Sequence, residues 1–280
     1  MDRNVLRCLL LAVATAVPTA ADELVLPILA LQWPGKAGNR WNSEVFLTNP
    51  GPSPVMVSNG RFLPGTLRYD VKCYPPIAAF HLVPPYSTTL LPPQELDLDL
   101  QCPVAALGAM AFDSDGPVLI SSRVVNTLNA APPGGVLSGL GQDVPALGGA
   151  DLAGPGPVYQ LPGLIWDPFR CGAIRFEIYL YLANPGTAQV VVTLQQSRDG
   201  APGELIVNGA DVPTPYAVTV EAGTFRQLKV ELGGAIPAVC LPPQLVDLFF
   251  TATGDTAVVA SVVDRSSQDP RTVLPIRTSD

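Results

Sequence analysis

Arg40-Trp41-Asn42-Ser43-Glu44-Val45-Phe46-Leu47-Thr48-Asn49-Pro50-Gly51, running on into Val55-Met56-Val57, returns later as Arg175-Phe176-Glu177-Ile178-Tyr179-Leu180-Tyr181-Leu182-Ala183-Asn184-Pro185-Gly186, running on into Val190-Val191-Val192. A single offset of 135 carries Arg40 to Arg175, Trp41 to Phe176 and Asn49 to Asn184. A fixed long period marks one structural unit used twice. Each copy is an apolar-rich run, then Asn-Pro-Gly, then a valine-rich run. Proline presets φ for the second position of a turn, and glycine accepts the positive φ of the third. Each copy is therefore expected to be a hairpin of two antiparallel strands joined at Asn-Pro-Gly. Val45 and Leu47, then Val55 and Val57, alternate at period two, so one face of each strand should be buried.

The chain has 280 residues, enough for two cores. Only 14% of residues are charged, 48% are hydrophobic, and 25 glycines and 31 prolines punctuate short β-forming runs. That pattern predicts an all-β chain of two tandem antiparallel sandwiches, with about nine short strands in each unit. The first unit is expected over residues 22–147, a Gly/Pro/Ala linker over 148–157, and the second unit over 158–280. Strands are expected near residues 24–28, 67–74, 80–83, 95–100, 104–112 and 117–125, then near 158–164, 205–207, 217–220, 224–232, 245–252 and 256–263. Residues 129–142 form a long Gly/Pro-rich excursion. Ser122 and Ser261 align at an offset of 139, and Gly254-Asp255 is expected to match the turn at Asp115-Gly116.

Residues 1–21 have the make-up of a secretory signal. Arg3 and Arg7 precede an apolar core over residues 9–17, and small residues end the segment, which places cleavage before Asp22. The apolar run is too short to span a bilayer as a helix. The remaining chain has 14 basic and 23 acidic residues. That balance, without a Lys/Arg cluster, disfavours nucleic acid and anionic membrane surfaces as partners. Four cysteines remain: Cys73, Cys102, Cys171 and Cys240. An even count in an exported chain points to disulfides. The repeat boundary selects Cys73 with Cys102 and Cys171 with Cys240, each bond contributing roughly 2–4 kcal/mol. The expected location is secreted, periplasmic or at the cell surface.

Further motifs carry a resemblance. The late turn and strand of the first unit read Asp115-Gly116-Pro117 and Ile120-Ser121-Ser122-Arg123, and the unit ends near Gly141-Gln142-Asp143-Val144-Pro145-Ala146. With the repeated Asn-Pro-Gly segment, these resemble the tandem Ig-like modules of secreted bacterial proteins. The resemblance covers nearly all of the chain after residue 21. It implies a fold and a compartment and brings no catalytic residues with it. The second unit departs from the pattern at Val258-Val259-Ala260-Ser261, which lacks the arginine.

A Ser/His/Asp arrangement needs a histidine to move the proton, and the single histidine, His81, falls in an expected strand. No nucleophile elbow or phosphate-binding loop occurs. The pairs Asp97/Asp99 and Asp113/Asp115 supply too few ligands for a calcium site, and the cysteines are too scattered for zinc. No catalytic residue, metal or cofactor is expected. Trp33 and Trp166, related by an offset of 133, each follow an opening strand in a proline-containing turn and are the candidate ligand contacts. The expected function is a non-enzymatic adhesion, scaffold or recognition module whose partner is a surface protein or glycan. The alternative is a carbohydrate-binding module that uses the two tryptophans.

Overall fold

The computed structural model describes residues 23–35, 40–67, 79–93, 95–96, 105–127, 141–166, 176–232, 243–265, 267 and 270–278. Its regular structure is almost entirely antiparallel β. The first half contributes β1 (Leu24–Leu31), β2 (Trp33–Pro34), β3 (Arg40–Asn49), β4 (Val55–Leu67), β5 (Phe80–Val83), β6 (Ser87–Leu91), β7 (Ala106–Ser114), β8 (Leu119–Thr127) and β9 (Gly141–Pro145). The second contributes β10 (Tyr159–Trp166), β11 (Phe176–Asn184), β12 (Val190–Gln195), β13 (Gly203–Val207), β14 (Ala210–Thr214), β15 (Tyr216–Val220), β16 (Thr224–Leu232), β17 (Gln244–Ala252), β18 (Ala257–Asp264), β19 (Pro270–Val273) and β20 (Ile276–Arg277).

Each half folds into two sheets, and the strand orders repeat. In the first half the order β1-β7-β4-β5 faces a sheet in which β6, β3, β8 and β9 are neighbours and β2 also pairs with β3. In the second, β10-β17-β12-β15 and β16-β11-β18-β19 reproduce both orders. The second half adds β20 beside β10 and the hairpin β13–β14 beside β16. That hairpin turns at Asn208-Gly209, both at positive φ, as a two-residue reversal of matching twist requires.

Strand pairing corrects the expected hairpin. β3 pairs with β2, β6 and β8, and β4 pairs with β5 and β7, so the two strands flanking Asn49-Pro50-Gly51 lie in opposite sheets. The same holds for β11 and β12 around Asn184-Pro185-Gly186. The repeated segment is therefore an arch over the edge of each core. Neither Gly51 nor Gly186 has positive φ. Space at both glycines is tight: an added Cβ would stand 3.3 Å from Asn49 Oδ1 and 3.1 Å from Asn184 Oδ1. In both copies the asparagine is buried and organises the arch. Asn49 Oδ1 accepts the Gly51 amide at 2.8 Å, and its Nδ2 donates to Ser53 O and Val83 O. Asn184 does the same with the Gly186 amide, Ala188 O and Val220 O.

Register refines the repeat. In β1 and β10 the same offset holds through a shared bulge, between Leu26 and Leu29 in one and Leu161 and Leu164 in the other. Pro27 and Pro162 sit inside these bulges, where a missing N–H costs no ladder bond. The late strands follow a different offset. Val45 faces Ser122 while Leu180 faces Ala260, so β8 and β18 align at an offset of 138 and the second copy is longer by three. Ser261 thus corresponds to Arg123 rather than to Ser122, and Thr253-Gly254 to Asp115-Gly116. Side chains at the turn agree: Asp115 Oδ1 accepts the Met56 amide, and Thr253 Oγ1 accepts the Val191 amide.

Among the described residues, three apolar clusters form the core. One lies between the two sheets of the first half, around Leu26, Leu47, Val57 and Phe112. One lies between the sheets of the second half, around Leu161, Leu180, Val192 and Phe250. The third joins the halves: Val25, Ile28, Ala30, Leu63, Leu107 and Ala109 pack against Tyr181, Ala183, Phe225, Ala257 and Val259. The outer face of the β1-β7-β4 sheet thus lies on the outer face of the β16-β11-β18 sheet. This accounts for β1 and most of β7 reading as unbroken apolar runs, since strands buried on both faces lose the period-two alternation. β10, the counterpart of β1, has one buried and one half-exposed face.

The expected linker is pinned to the second half. Ala153 bridges Thr256 and Pro155 bridges Ala252, with mutual backbone bonds of 2.9 and 3.0 Å between Ala153 and Thr256. The strand expected over residues 95–100 is corrected where it is described: the Glu95 and Leu96 amides both donate to Pro92 O in a helical turn, and Leu96 enters the first core. Asp97 and Asp99, most of the 129–142 excursion, and Cys73, Cys102, Cys171 and Cys240 lie outside the described residues. Among the described residues no helix is long and apolar enough to cross a membrane.

Candidate functional site

The junction between the halves is not filled throughout. Beside the shared core lies a cavity of about 340 Å³, lined from both halves. β1 supplies Ile28 and Ala30 to its floor. The short β2 supplies Trp33, which pairs across the ladder with Trp41 of β3. The opposite wall is β11, where Glu177, Tyr179 and Tyr181 alternate outward while Ile178, Leu180 and Leu182 enter the second core. Gln142, Gln227 and Ser261 complete the polar lining.

The polar groups form two sets. Glu177, 8% exposed, accepts the Tyr179 hydroxyl at 3.0 Å and lies 3.4 Å from Lys229 Nζ and 3.5 Å from Arg265 Nε. Burial, then the Glu177 charge, pushes the Tyr179 phenol well above its ordinary range. Burial works to lower the Lys229 pKa, but its hydrogen bond and charge pairing with Glu231 and with Glu177 outweigh that and raise it. Tyr181 is pushed up to about 12 by burial, against the opposing hydrogen bond from Gln227. The second set bridges the halves: Ser261 Oγ donates to Gln142 Oε1 at 2.8 Å, and Thr272 Oγ1 donates to Asp143 O at 2.8 Å.

Trp33 and Trp166 do not form the matched pair expected from their spacing. Trp166 ends β10 opposite Gln244, and the residue in its register position is Leu31, opposite Ala106. Trp33 lines the cavity and Trp166 does not. His81 lies on edge strand β5 opposite Val57. Arg123 stands across the ladder from Glu44, away from the cavity lining. No family model, curated protein or solved structure matches the chain. The cavity must therefore be read from its own chemistry.

Sequence reasoning missed Trp41, Tyr179, Tyr181 and Gln142 as site residues. The signal was present in Glu177-Ile178-Tyr179-Leu180-Tyr181. A strand that keeps large aromatic residues on the face opposite its core has a second surface to cover, and tyrosine suits one that is apolar on its body and wet at its tip.

Proposed function

We propose that the chain is an exported, non-enzymatic recognition module of two Ig-like sandwiches, binding a protein or glycan in the periplasm or at the cell surface. The observation that carries this reading is the aromatic-walled cavity at the junction. Its size falls at the small end of ligand sites, about 300–1,000 Å³, and apolar walls with a few placed polar groups are their usual lining. The export part rests on the basic, apolar and small-residue order of residues 1–21 and on the four later cysteines. The Ig-like part rests on the motifs of the first unit and on pairing. Setting β2 aside, the second strand pairs with the fifth and the third with the sixth, as strands B with E and C with F do in an Ig sandwich. The other strands depart from that order: the first lies beside the sixth, the fourth beside the third and the seventh beside the second.

Trp33 on the cavity wall favours the more specific reading, a carbohydrate-binding module, over a protein-binding one. Two measurements test the proposal. N-terminal sequencing of the exported protein should begin at Asp22, and immobilised polysaccharides should retain the wild-type chain. A hydrolase activity abolished by one side-chain change overturns the non-enzymatic reading.

A further inference from the structure

Resting on the recognition reading, we infer that the junction cavity holds one neutral saccharide ring, with Gln142 as its polar anchor and the aromatic walls from both halves as its stacking surfaces. Size sets the first limit. A cavity of about 340 Å³ is at the small end of ligand sites and has room for a sugar ring. Walls set the second. Trp33 and Trp41 on one side and Tyr179 and Tyr181 on the other line it, and aromatic rings suit the C–H faces of a pyranose.

Charge decides among ring-sized ligands. An aromatic enclosure with a carboxylate would suit a quaternary ammonium. Here, however, Glu177 already has Lys229 and Arg265 within 3.5 Å, and those cations would repel another. An anion would meet the Glu177 carboxylate in the same lining. A neutral ligand meets neither penalty.

The polar atoms left over suit hydroxyl groups. Gln142 is 6% exposed yet lines the cavity, and its one side-chain partner among the described residues is Ser261, at Oε1. Its Nε2 group is left to donate. Tyr181 Oη accepts the Gln227 amide and keeps its own proton to give. A ligand hydroxyl that accepts from either donor makes a hydrogen bond within largely apolar walls. Gln142 and Trp33 come from the first half and Tyr179 and Tyr181 from the second, so neither half carries the site alone.

The test uses the full exported chain and equilibrium binding followed by tryptophan fluorescence. The probes are the methyl glycosides of glucose, galactose, mannose and N-acetylglucosamine, with choline as the cationic and glucuronate as the anionic comparison. At least one neutral glycoside should bind. Gln142→Ala should weaken it about tenfold or more, the loss of one buried hydrogen bond. Trp33→Ala should remove binding, Tyr181→Phe, which deletes only a hydroxyl, should weaken it, and Trp166→Ala should leave it unchanged. Thermal melts identify any variant that fails to fold, and Tyr181→Phe keeps the test decisive if Gln142→Ala is such a variant. Tighter binding of choline or glucuronate than of every neutral glycoside overturns the inference, as does a loss in Trp166→Ala equal to that in Gln142→Ala. Polysaccharide retention that survives both Gln142→Ala and Trp33→Ala removes this site and leaves the recognition reading standing. No retention and no glycoside binding removes the glycan reading itself.

Discussion

Ser261 reaches across the junction to Gln142, its Oγ 2.8 Å from the glutamine Oε1, where the core shared by the two halves meets the cavity. The bond sits beside a continuous apolar contact, so the four sheets are joined as one stack. The halves should therefore unfold together. Calorimetry of the wild type should show one cooperative transition whose van't Hoff and calorimetric enthalpies agree. Ala109→Asp puts a carboxylate at a fully buried position of the shared core. It should destabilise the junction by about 3–5 kcal/mol, the scale of an uncompensated buried charge, and split the transition in two. Two transitions in the wild type would show that the halves are energetically independent.

Asn49 and Asn184 make three corresponding bonds in the two copies of the arch, and Asn184 Nδ2 also donates to Glu221 O. Replacing either with alanine strands a glycine amide and its carbonyl partners, at a cost of about 1–3 kcal/mol. Aspartate should be worse at neutral pH. It can still accept the glycine amide but turns a second charged oxygen toward carbonyls. Urea midpoints ranked wild type above Asn49→Ala above Asn49→Asp check this, and Asn184 should give the same order.

These asparagines show what a sequence can and cannot disclose here. The repeat, its period and most strands were legible because apolar alternation and turn residues are local signals. Asn-Pro-Gly also marked a reversal correctly. Whether the strands on either side then pair with each other is not local. It depends on which sheet each strand's buried face must join, and the buried carboxamide spans that gap. The unbroken apolar runs of β1 and β7 carried the clue to the junction, because a strand with two buried faces needs a layer on each side. Spacing alone misaligned Trp33 with Trp166, whose separation of 133 falls short of the 135 that holds in the early strands, and Ser122 with Ser261, whose 139 exceeds the 138 of the late ones. The Asn208-Gly209 hairpin was readable from its dipeptide and was missed.

Gly65 lies where β4 passes the second half. A Cβ there would stand 2.2 Å from Phe225 Cδ1 and 2.8 Å from Leu107 O. The backbone oxygen cannot yield, and Phe225 is held in the shared core. Gly65→Ala should therefore cost about 1–3 kcal/mol by overpacking. Phe225→Ala should restore part of that loss in the double variant, so the two changes should be non-additive in melting experiments. Additive losses would place the strain elsewhere.

Cys102 and Cys240 are related by the offset of the late strands, whereas Cys73 and Cys171 occupy unrelated places in their units. The pairs Cys73–Cys102 and Cys171–Cys240 should form within units. Non-reducing digestion of the protein should yield those two linked peptides, with the intact mass lower by two hydrogens per bond. A linked Cys102–Cys240 peptide would refute the pairing. Removing either bond should cost roughly 2–4 kcal/mol.

Tyr181 gives the fold an alkaline limit. Burial raises its pKa from 10.0 to about 12, so the folded chain holds a proton that the unfolded chain releases. Between these values the unfolded state binds fewer protons, and stability falls as pH rises. The contribution is fully present below pH 10 and is lost on passing through about 12, amounting to about 3 kcal/mol. Tyr181→Phe removes the ionisation and keeps the ring in the shared core. Its stability should decline less over that window than that of the wild type, the remaining fall coming from groups such as Tyr179 and Lys229, whose pKa values are also raised. Spectrophotometric titration at the tyrosinate band checks the assignment: one late-titrating phenol should disappear in Tyr181→Phe. Loss of an ordinarily titrating phenol in place of a late one would put Tyr181 in contact with solvent and would count equally against its burial in the junction.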